Sequence, residues 1–294
     1  MKQILVFGGS RFFGKKIVEL LLAKGHQVTL ANRGKTKDSF GSNVNRIKID
    51  RTDSSHPNWQ VLAGKDWDVV IDNICFTKEE AAITIQYLAG KVKQYLFTSS
   101  LAVYSGQGTG ENGGYLEADF NPVTYQIDAD KTVDYGEGKR QAEVAFTMSQ
   151  AFPVTSLRIP IVLDDDDYTE RLHQYVRAVQ HHESIAVKNQ QAKISFIKGS
   201  EVANVMNWLI EEQLEGPINA SSCDTLTIEQ FLAWLEVGVG ILPIIEETTT
   251  SSKPMPFDIA KDWFLDTHFI QKKGFLEIGL ASWVPTLIKR LNQS

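Results

Sequence analysis

Tyr135 and Lys139 stand four residues apart in Tyr135-Gly136-Glu137-Gly138-Lys139. On a helix that spacing puts a phenol and an ammonium on one face. A free tyrosine, with a pKa near ~10, is a poor base at neutral pH; a cation one turn away favours its phenolate and draws the value toward the working range. Earlier in the chain, Ser99-Ser100 closes an apolar run, and the Ser100 hydroxyl can hold a substrate oxygen. Ser100, Tyr135 and Lys139 are therefore candidates for moving a proton at a hydroxyl or carbonyl carbon, with Ser100 and Lys139 stabilising a developing oxyanion. Gly136 and Gly138 each cost about 1 kcal/mol relative to alanine inside a helix. Two of them beside the pair imply close approach to a neighbouring helix or to a ligand. A helix beginning only after Gly138 would instead separate Tyr135 from Lys139.

The partner of such proton chemistry is a hydride carrier, and the chain opens with a place for one. Gly8, Gly9, Ser10, Arg11, Phe12, Phe13 and Gly14 form a glycine-rich turn between an apolar run and a helical pattern. A strand, a glycine turn and a helix N-terminus aim backbone N–H groups and the positive end of a dipole at a pyrophosphate. The middle position of a Gly-x-x-Gly-x-x-Gly loop is here Arg11. At the end of the second strand an acidic residue would bond ribose hydroxyls and repel a 2′-phosphate. The sequence there is Asn32-Arg33, an amide beside a cation, and Arg33 with Arg11 suits a phosphate. NADP is expected over NAD. Asp50, ending the third strand, would lie near the adenine, and Arg51 completes the cofactor-binding set.

Several elements must position these groups. Ile4–Phe7 and Val69–Ile71 are short apolar runs of the kind buried on both faces, Gln27–Leu30 and Arg46–Ile49 are β-prone, and Tyr95–Thr98 and Val154–Ile159 follow. Between them lie Phe13–Lys24, Thr77–Leu88 with a capping-box pattern, and Tyr135–Gln150 at helical spacing. Repeated strand–helix–strand units predict an α/β, doubly wound parallel sheet of the Rossmann type, with ligands beyond the carboxyl ends of its strands. Residues 1–160 read as this unit. Residues 161–294 read as a smaller α+β substrate-binding lobe, with an acidic loop at Asp164–Asp167, a helix over Glu201–Gln213, a short strand at Gly216–Ala220, a helix at Leu226–Trp234 and a polar loop over 248–253. The glycine-rich stretch from Ser105 to Gly114 reads equally as a substrate lid or a surface loop.

Composition narrows the class. Hydrophobic content of 43% and charged content of 22% suit a soluble globular protein. No apolar run approaches the ~20 residues of a membrane span, and Met1-Lys2-Gln3 leads into a buried strand rather than a signal peptide. Cys75 and Cys223 lack metal-ligand spacing and the six histidines form no HExxH, so no metal is proposed and a reducing cytoplasm is expected. The net charge is −6, yet up to Lys37 eight basic residues stand against Glu19 alone. An acidic chain with one basic unit suits a phosphorylated small molecule better than broad nucleic-acid binding.

Taken together, Gly8-Gly9-Ser10-Arg11-Phe12-Phe13-Gly14, Ser99-Ser100-Leu101-Ala102-Val103-Tyr104, Tyr135-Gly136-Glu137-Gly138-Lys139, Leu157-Arg158-Ile159-Pro160 and Leu265-Asp266-Thr267 resemble the extended short-chain dehydrogenase/reductases, in their NAD-dependent epimerase/dehydratase-like branch. The resemblance implies Ser100 as the catalytic hydroxyl, Tyr135 as acid/base, Lys139 as its partner and a bond from Lys139 to the nicotinamide ribose. It also implies hydride transfer at a hydroxyl or ketone carbon, a sugar nucleotide as substrate, and a homodimer through the Tyr135 helix and its neighbour. Arg11 and Asn32-Arg33 resemble an atypical subgroup that includes chloroplast stem-loop RNA-binding proteins. Leu101-Ala102 stands where sugar 4,6-dehydratases carry an acidic pair, which counts against dehydration. Arg171 and Tyr168 are candidates to reach a substrate phosphate. The alternative is a non-catalytic NADP-binding regulator or RNA-binding protein on the same fold.

Overall fold

The computed structural model describes residues 1–107, 114–128, 130, 132–249 and 255–293. Most of the Ser105–Gly114 stretch and the 248–253 loop fall outside the described residues.

In strand β1 (Gln3–Phe7), Ile4 and Val6 enter one core and Leu5 and Phe7 another, all four fully buried. A strand covered on both faces needs that apolar run. Around it lie β2 (Gln27–Asn32), β3 (Asn45–Lys48), β4 (Val69–Asp72), β5 (Tyr95–Thr98) and β6 (Val154–Arg158). Four short strands follow outside this sheet: β7 (Ile161–Leu163), β8 (Ser184–Val187), β9 (Lys193–Ile194) and β10 (Phe196–Lys198); then comes β11 (Gly216–Asn219). The main sheet has seven strands in the order β11-β6-β5-β4-β1-β2-β3, every pair parallel. The chain moves one way from β1 through β2 to β3 and the other way from β4 outward. The crevice at that reversal, beyond the strands' carboxyl ends, is where such sheets hold ligands.

Helices cover both faces. Ile17, Val18 and Leu21 of α1 (Phe12–Ala23) share one core with Ile4 and Val6. On the opposite face, α2 (Asn58–Ala63), α3 (Lys78–Leu88) and α4 (Tyr135–Ser149) bury Trp59, Ala81, Leu88, Ala142 and Phe146 with Leu5 and Phe7. Helix α3 starts where the capping pattern placed it, with the Thr77 hydroxyl accepting from Glu80 N–H at 3.3 Å. The Glu80 carboxylate takes the Phe76 N–H at 2.6 Å, one residue earlier than a standard capping box.

The second unit has its own core. Leu172, Tyr175 and Val176 of α5 (Arg171–Gln180) meet residues placed later in the chain, among them Phe231, Leu235 and Leu287. The chain does not, however, divide at residue 160. Helix α6 (Gly199–Glu212) returns to lay Val202, Met206 and Leu209 against α1, and β11 joins the main sheet beside β6. Residues 199–219 therefore complete the first unit, because the outer face of α1 and the edge of β6 need cover. Lys16 of α1 adds a polar tie, with Asp164 at 3.4 Å and Asp166 at 3.3 Å. Among the described residues no helix is long and apolar enough to cross a membrane.

Candidate dinucleotide and catalytic site

A cavity of about 500 Å³ opens at the crevice. Its walls include Gly8, Ser10, Arg11, Phe12, Phe13 and Gly14 from the glycine turn, and Asn32, Arg33, Asp50 and Arg51 from the ends of β2 and β3. Gly9 is the one expected loop residue that does not line it. Gly9 sits behind the loop, where a Cβ would meet Leu30 at 2.7 Å and Val18 at 2.9 Å. Gly8 has a φ of +79°, a left-handed conformation that disfavours other residues. A Cβ on Gly14 would collide with the Gly8 carbonyl oxygen, so the turn is as tight as the chain allows. Arg11 precedes α1 without a side-chain cap, which leaves first-turn N–H groups facing the cavity mouth for an anion.

The basic wall is formed by exposed side chains. Arg11 Nε donates to Thr36 Oγ1 at 3.0 Å, and its guanidinium lies 5.6 Å from the Tyr168 ring centroid. Asn32 donates from Nδ2 to Ser10 Oγ at 2.9 Å and accepts from Gly34 N–H at 2.8 Å. Its role is to brace the loop. Asp50 accepts from Thr52 N–H and Oγ1 at 3.1 and 2.8 Å. Those bonds, with smaller help from Arg33 and Lys35, hold its carboxyl below the usual range.

Arg51 departs from its expected role. Although the residue borders the cavity, its guanidinium is buried against Asp72 at 2.5 Å and donates to Thr84 Oγ1 at 3.0 Å and Glu80 O at 3.1 Å. Asp72 is in turn bonded by Tyr95 OH and Ile74 N–H. Arg51 is an internal ion-pair partner and not a free phosphate ligand.

Asn73 was not foreseen. It is 8% exposed, lines the cavity, and its Oδ1 accepts from Thr98 Oγ1 at 2.7 Å, while Nδ2 has no partner. A buried amide donor left unsatisfied costs about 1–3 kcal/mol, and this one lies against Gly14 of the glycine turn. The cue in the sequence was an amide one residue past a buried strand.

Tyr135 opens helix α4, with the Asp134 side chain capping it by accepting Glu137 N–H at 2.8 Å. The helix thus includes the glycines, and Lys139 stands one turn on. A Cβ at Gly136 would lie 2.7 Å from the Ala102 carbonyl oxygen, and one at Gly138 would strike the carbonyl of Phe76. The two glycines let α4 press onto the segments after β5 and β4. Ser100 caps the short turn after β5 by accepting Ala102 N–H at 3.1 Å, and its hydroxyl favours the ionised form of the Tyr135 phenol.

Lys139 is 1% exposed and donates to the carbonyls of Cys75 at 2.7 Å and Thr98 at 2.8 Å. It lies between the Phe76 and Phe97 rings, 4.6 and 4.8 Å from their centroids, and 5.9 Å from that of Tyr135. Burial lowers its pKa to about 8, partly opposed by the nearby acidic groups. This corrects the expected phenol–ammonium coupling. The Tyr135 phenol is raised above its ordinary value, first by burial, and the groups that oppose the rise are Ser100 and Arg171, not Lys139. Tyr135 keeps 54% of its surface accessible, but its oxygen is enclosed against Ser100, and the oxygen's surroundings decide the shift.

Behind the site, Glu143 of α4 and Arg158 of β6 form a buried ion pair, Nη2 to Oε2 at 2.6 Å and Nε to Oε1 at 3.0 Å. Ser99 donates its hydroxyl to Glu143, and Arg158 also donates to Tyr104 OH at 2.8 Å. This network ties the Ser99–Ser100 strand end to α4.

Sequence comparison now bears on the same residues. Residues 4–75 match the model of the NAD dependent epimerase/dehydratase family. That span carries β1 through the end of β4 with the glycine turn, and the resemblance drawn from the motifs is borne out there. The chain is 34% identical over 116 residues to the chloroplast stem-loop binding protein of 41 kDa b of Arabidopsis thaliana, covering 35% of this chain and 30% of that protein. It is 30% identical over 141 residues to 2'-dehydrokanamycin reductase of Streptomyces kanamyceticus, covering 48% and 36%. The matches thus span about a third of the length of these curated relatives. Among solved structures, dTDP-glucose 4,6-dehydratase from Bacillus anthracis in complex with NAD superposes with a TM-score of 0.75 at 13% identity, covering 100% of this chain and 96% of that one. At that identity the likeness is one of fold: a Rossmann-type sheet with a second unit.

Proposed function

We propose that this protein is a nicotinamide-dinucleotide-dependent oxidoreductase or epimerase of the short-chain dehydrogenase type, acting at a hydroxyl or ketone carbon of a sugar nucleotide, with NADP preferred. The observation that carries the reading is that Tyr135 opens α4 with Lys139 one turn on, its ring beside Phe76 of the glycine-turn cavity. Phe76 lines that cavity, and its ring centroid lies 6.3 Å from that of Tyr135. The unpartnered Asn73 amide, the uncapped α1 N-terminus and the tight Gly8–Gly14 contact suit a dinucleotide. When bound, the dinucleotide supplies or accepts the hydride.

The protein's own groups handle the proton and the geometry. Tyr135, its phenol held neutral by burial, gives a proton to a carbonyl oxygen or takes one back from the alcohol. Ser100 shares that oxygen through its hydroxyl. Lys139 spends two N–H groups on the ends of β4 and β5, which sets the floor of the site and leaves one N–H for a ribose hydroxyl. Arg33 and Arg11 take the 2′-phosphate.

Calorimetric titration of NADP and NAD into wild type and Arg33→Ala tests the cofactor assignment. NADP-selective binding that Arg33→Ala abolishes is the expected result; equal affinities would remove Arg33 as a phosphate ligand. Turnover of NADPH with candidate sugar nucleotides then falls with Tyr135→Phe, and unchanged turnover would sink the assignment of the acid. The match to a stem-loop binding protein favours a second reading, a dinucleotide-binding protein that holds RNA. RNA affinity falling steeply with salt and modulated by NADP would support it.

A further inference from the structure

Arg11 and Phe12 meet the same aromatic ring. The Arg11 guanidinium carbon lies 5.6 Å from the Tyr168 ring centroid, and the Phe12 ring stands edge-on to it at 6.3 Å, with an interplanar angle of 85°. Consecutive side chains diverge in a regular helix or strand. Here Phe12 has a φ of +50°, a left-handed conformation that strains a bulky residue, and that turn lets both residues reach one ring. Thr36, in the segment after β2, accepts from Arg11 Nε at 3.0 Å. The guanidinium is thus held at Nε and over the ring, while its two Nη groups make no hydrogen bond or ion pair with any described residue.

Tyr168 comes from elsewhere in the molecule. Among the described residues that wall the dinucleotide cavity, every other one belongs to the span from Gly8 to Glu80. Tyr168 reaches it from the second unit. The residue is 64% exposed, so its burial contributes little to the fold. The loop that carries it is nonetheless fixed. Asp164 and Asp166 hold Lys16 of α1 at 3.4 and 3.3 Å, and Asp165 meets Arg290 of the C-terminal helix (Val284–Asn292) at 2.9 Å. Asp167 accepts from the Thr169 hydroxyl at 2.5 Å and from its N–H at 2.9 Å. Four consecutive carboxylates therefore anchor the loop and hold Tyr168 at the cavity wall.

We propose that Tyr168 is a positioning residue for the dinucleotide, its ring holding the Arg11 guanidinium in place for a phosphate of the bound cofactor. A long cationic side chain that must be ordered on binding loses rotamer freedom at that moment. One already stacked on a ring and bonded through Nε loses less, and its paired Nη donors match two phosphate oxygens. The proposal deepens the oxidoreductase reading and rests on it for the ligand. It also makes dinucleotide affinity depend on the second unit, which supplies the ring.

The test is a double-mutant cycle read by calorimetry, with NADP, NAD and inorganic pyrophosphate as probes. Wild type is compared with Tyr168→Ala, Tyr168→Phe, Arg11→Gln and the double variant Tyr168→Ala/Arg11→Gln. Tyr168→Ala should weaken NADP about threefold to thirtyfold, and Tyr168→Phe, which keeps the ring, should bind within about twofold of wild type. In the Arg11→Gln background Tyr168→Ala should cost less than about twofold more, because a residue that acts through Arg11 has nothing left to position. A loss shared by NAD supports the pyrophosphate as the phosphate held, and a loss confined to NADP supports the 2′-phosphate. Additive losses in the cycle, equal losses in Tyr168→Phe and Tyr168→Ala, or full affinity in Tyr168→Ala would overturn the proposal. Wild type that binds neither dinucleotide would sink the oxidoreductase reading by itself. The proposed role of Tyr168 then stands if pyrophosphate binding shows the same dependence on Tyr168 through Arg11, and falls if it does not.

Discussion

Replacing Lys139 by methionine should change the shape of the stability-versus-pH curve rather than simply lower it. Lys139 is enclosed by two aromatic rings and two carbonyls and has a pKa of about 8 in the folded protein, against ~10.4 for a free lysine. Between those values the unfolded chain binds more protons than the folded one, so unfolding takes up a proton and stability rises with pH. The slope approaches 1.36 kcal/mol per pH unit in that window. Below pH 7 the ammonium is charged in both states and the contribution is flat. From pH 7 to pH 9.5 wild type should therefore gain about 2 kcal/mol relative to Lys139→Met, which has nothing to titrate at this position. Urea unfolding of both proteins at pH 7.0, 8.0, 9.0 and 9.5, followed by tryptophan fluorescence, reads the difference as displaced midpoints at a common m-value. A wild-type-minus-variant difference that stays within about 0.5 kcal/mol over this range would mean that Lys139 titrates like an exposed lysine. The reading of Lys139 as a desolvated tie between β4 and β5 would then be wrong.

Glu143→Leu should cost about 3–5 kcal/mol by stranding the buried Arg158 charge, whereas Glu143→Leu/Arg158→Met should cost less than that single change; a harsher double variant in urea unfolding would contradict the ion-pair geometry. Gly138→Ala should destabilise by about 1–3 kcal/mol through contact with the Phe76 carbonyl. A helix free of that contact would instead gain about 1 kcal/mol, so the sign of the shift decides. Tyrosinate absorbance, as the difference between wild type and Tyr135→Phe, should show the Tyr135 phenol ionising above pH ~10, because burial raises its pKa. Arg171→Gln should move that ionisation higher still, and an ionisation below pH 9 would refute the burial argument.

Much of the site was legible because the responsible interactions are local. A tight strand-to-helix turn needs glycines, so Gly8 and Gly14 announced themselves. Four-residue spacing on a helix put Tyr135 and Lys139 on one face without knowledge of anything else. What stayed hidden depended on partners far along the chain. The acceptors of Lys139 are 64 and 41 residues away, so its role as a tie had no local signature. Arg51 stood at a strand end like a ligand, but Asp72 and Thr84, 21 and 33 residues on, claim it. The orphan amide of Asn73 is visible only once Thr98 has taken its oxygen. Helix α2 is six residues long, too short for periodicity to register. The strand at Gly216–Asn219 was seen as a strand but assigned to the second lobe, because nothing in Gly-Pro-Ile-Asn names β6 as its neighbour.

The late return of α6 and β11 sets a clock on synthesis. The other six strands of the sheet are complete once Arg158 has been made, yet its last strand ends at Asn219. At about 5–20 residues per second, the intervening stretch takes the ribosome roughly 3–12 s. Throughout that interval the nascent chain carries an unpaired β6 edge, and the flank of α1 that α6 will cover is bare. An open strand edge and a bare apolar flank are features that chaperones bind and that aggregation exploits. Newly made chain should thus be most vulnerable in mid-translation, and slower decoding over residues 159–219 would lengthen that exposure.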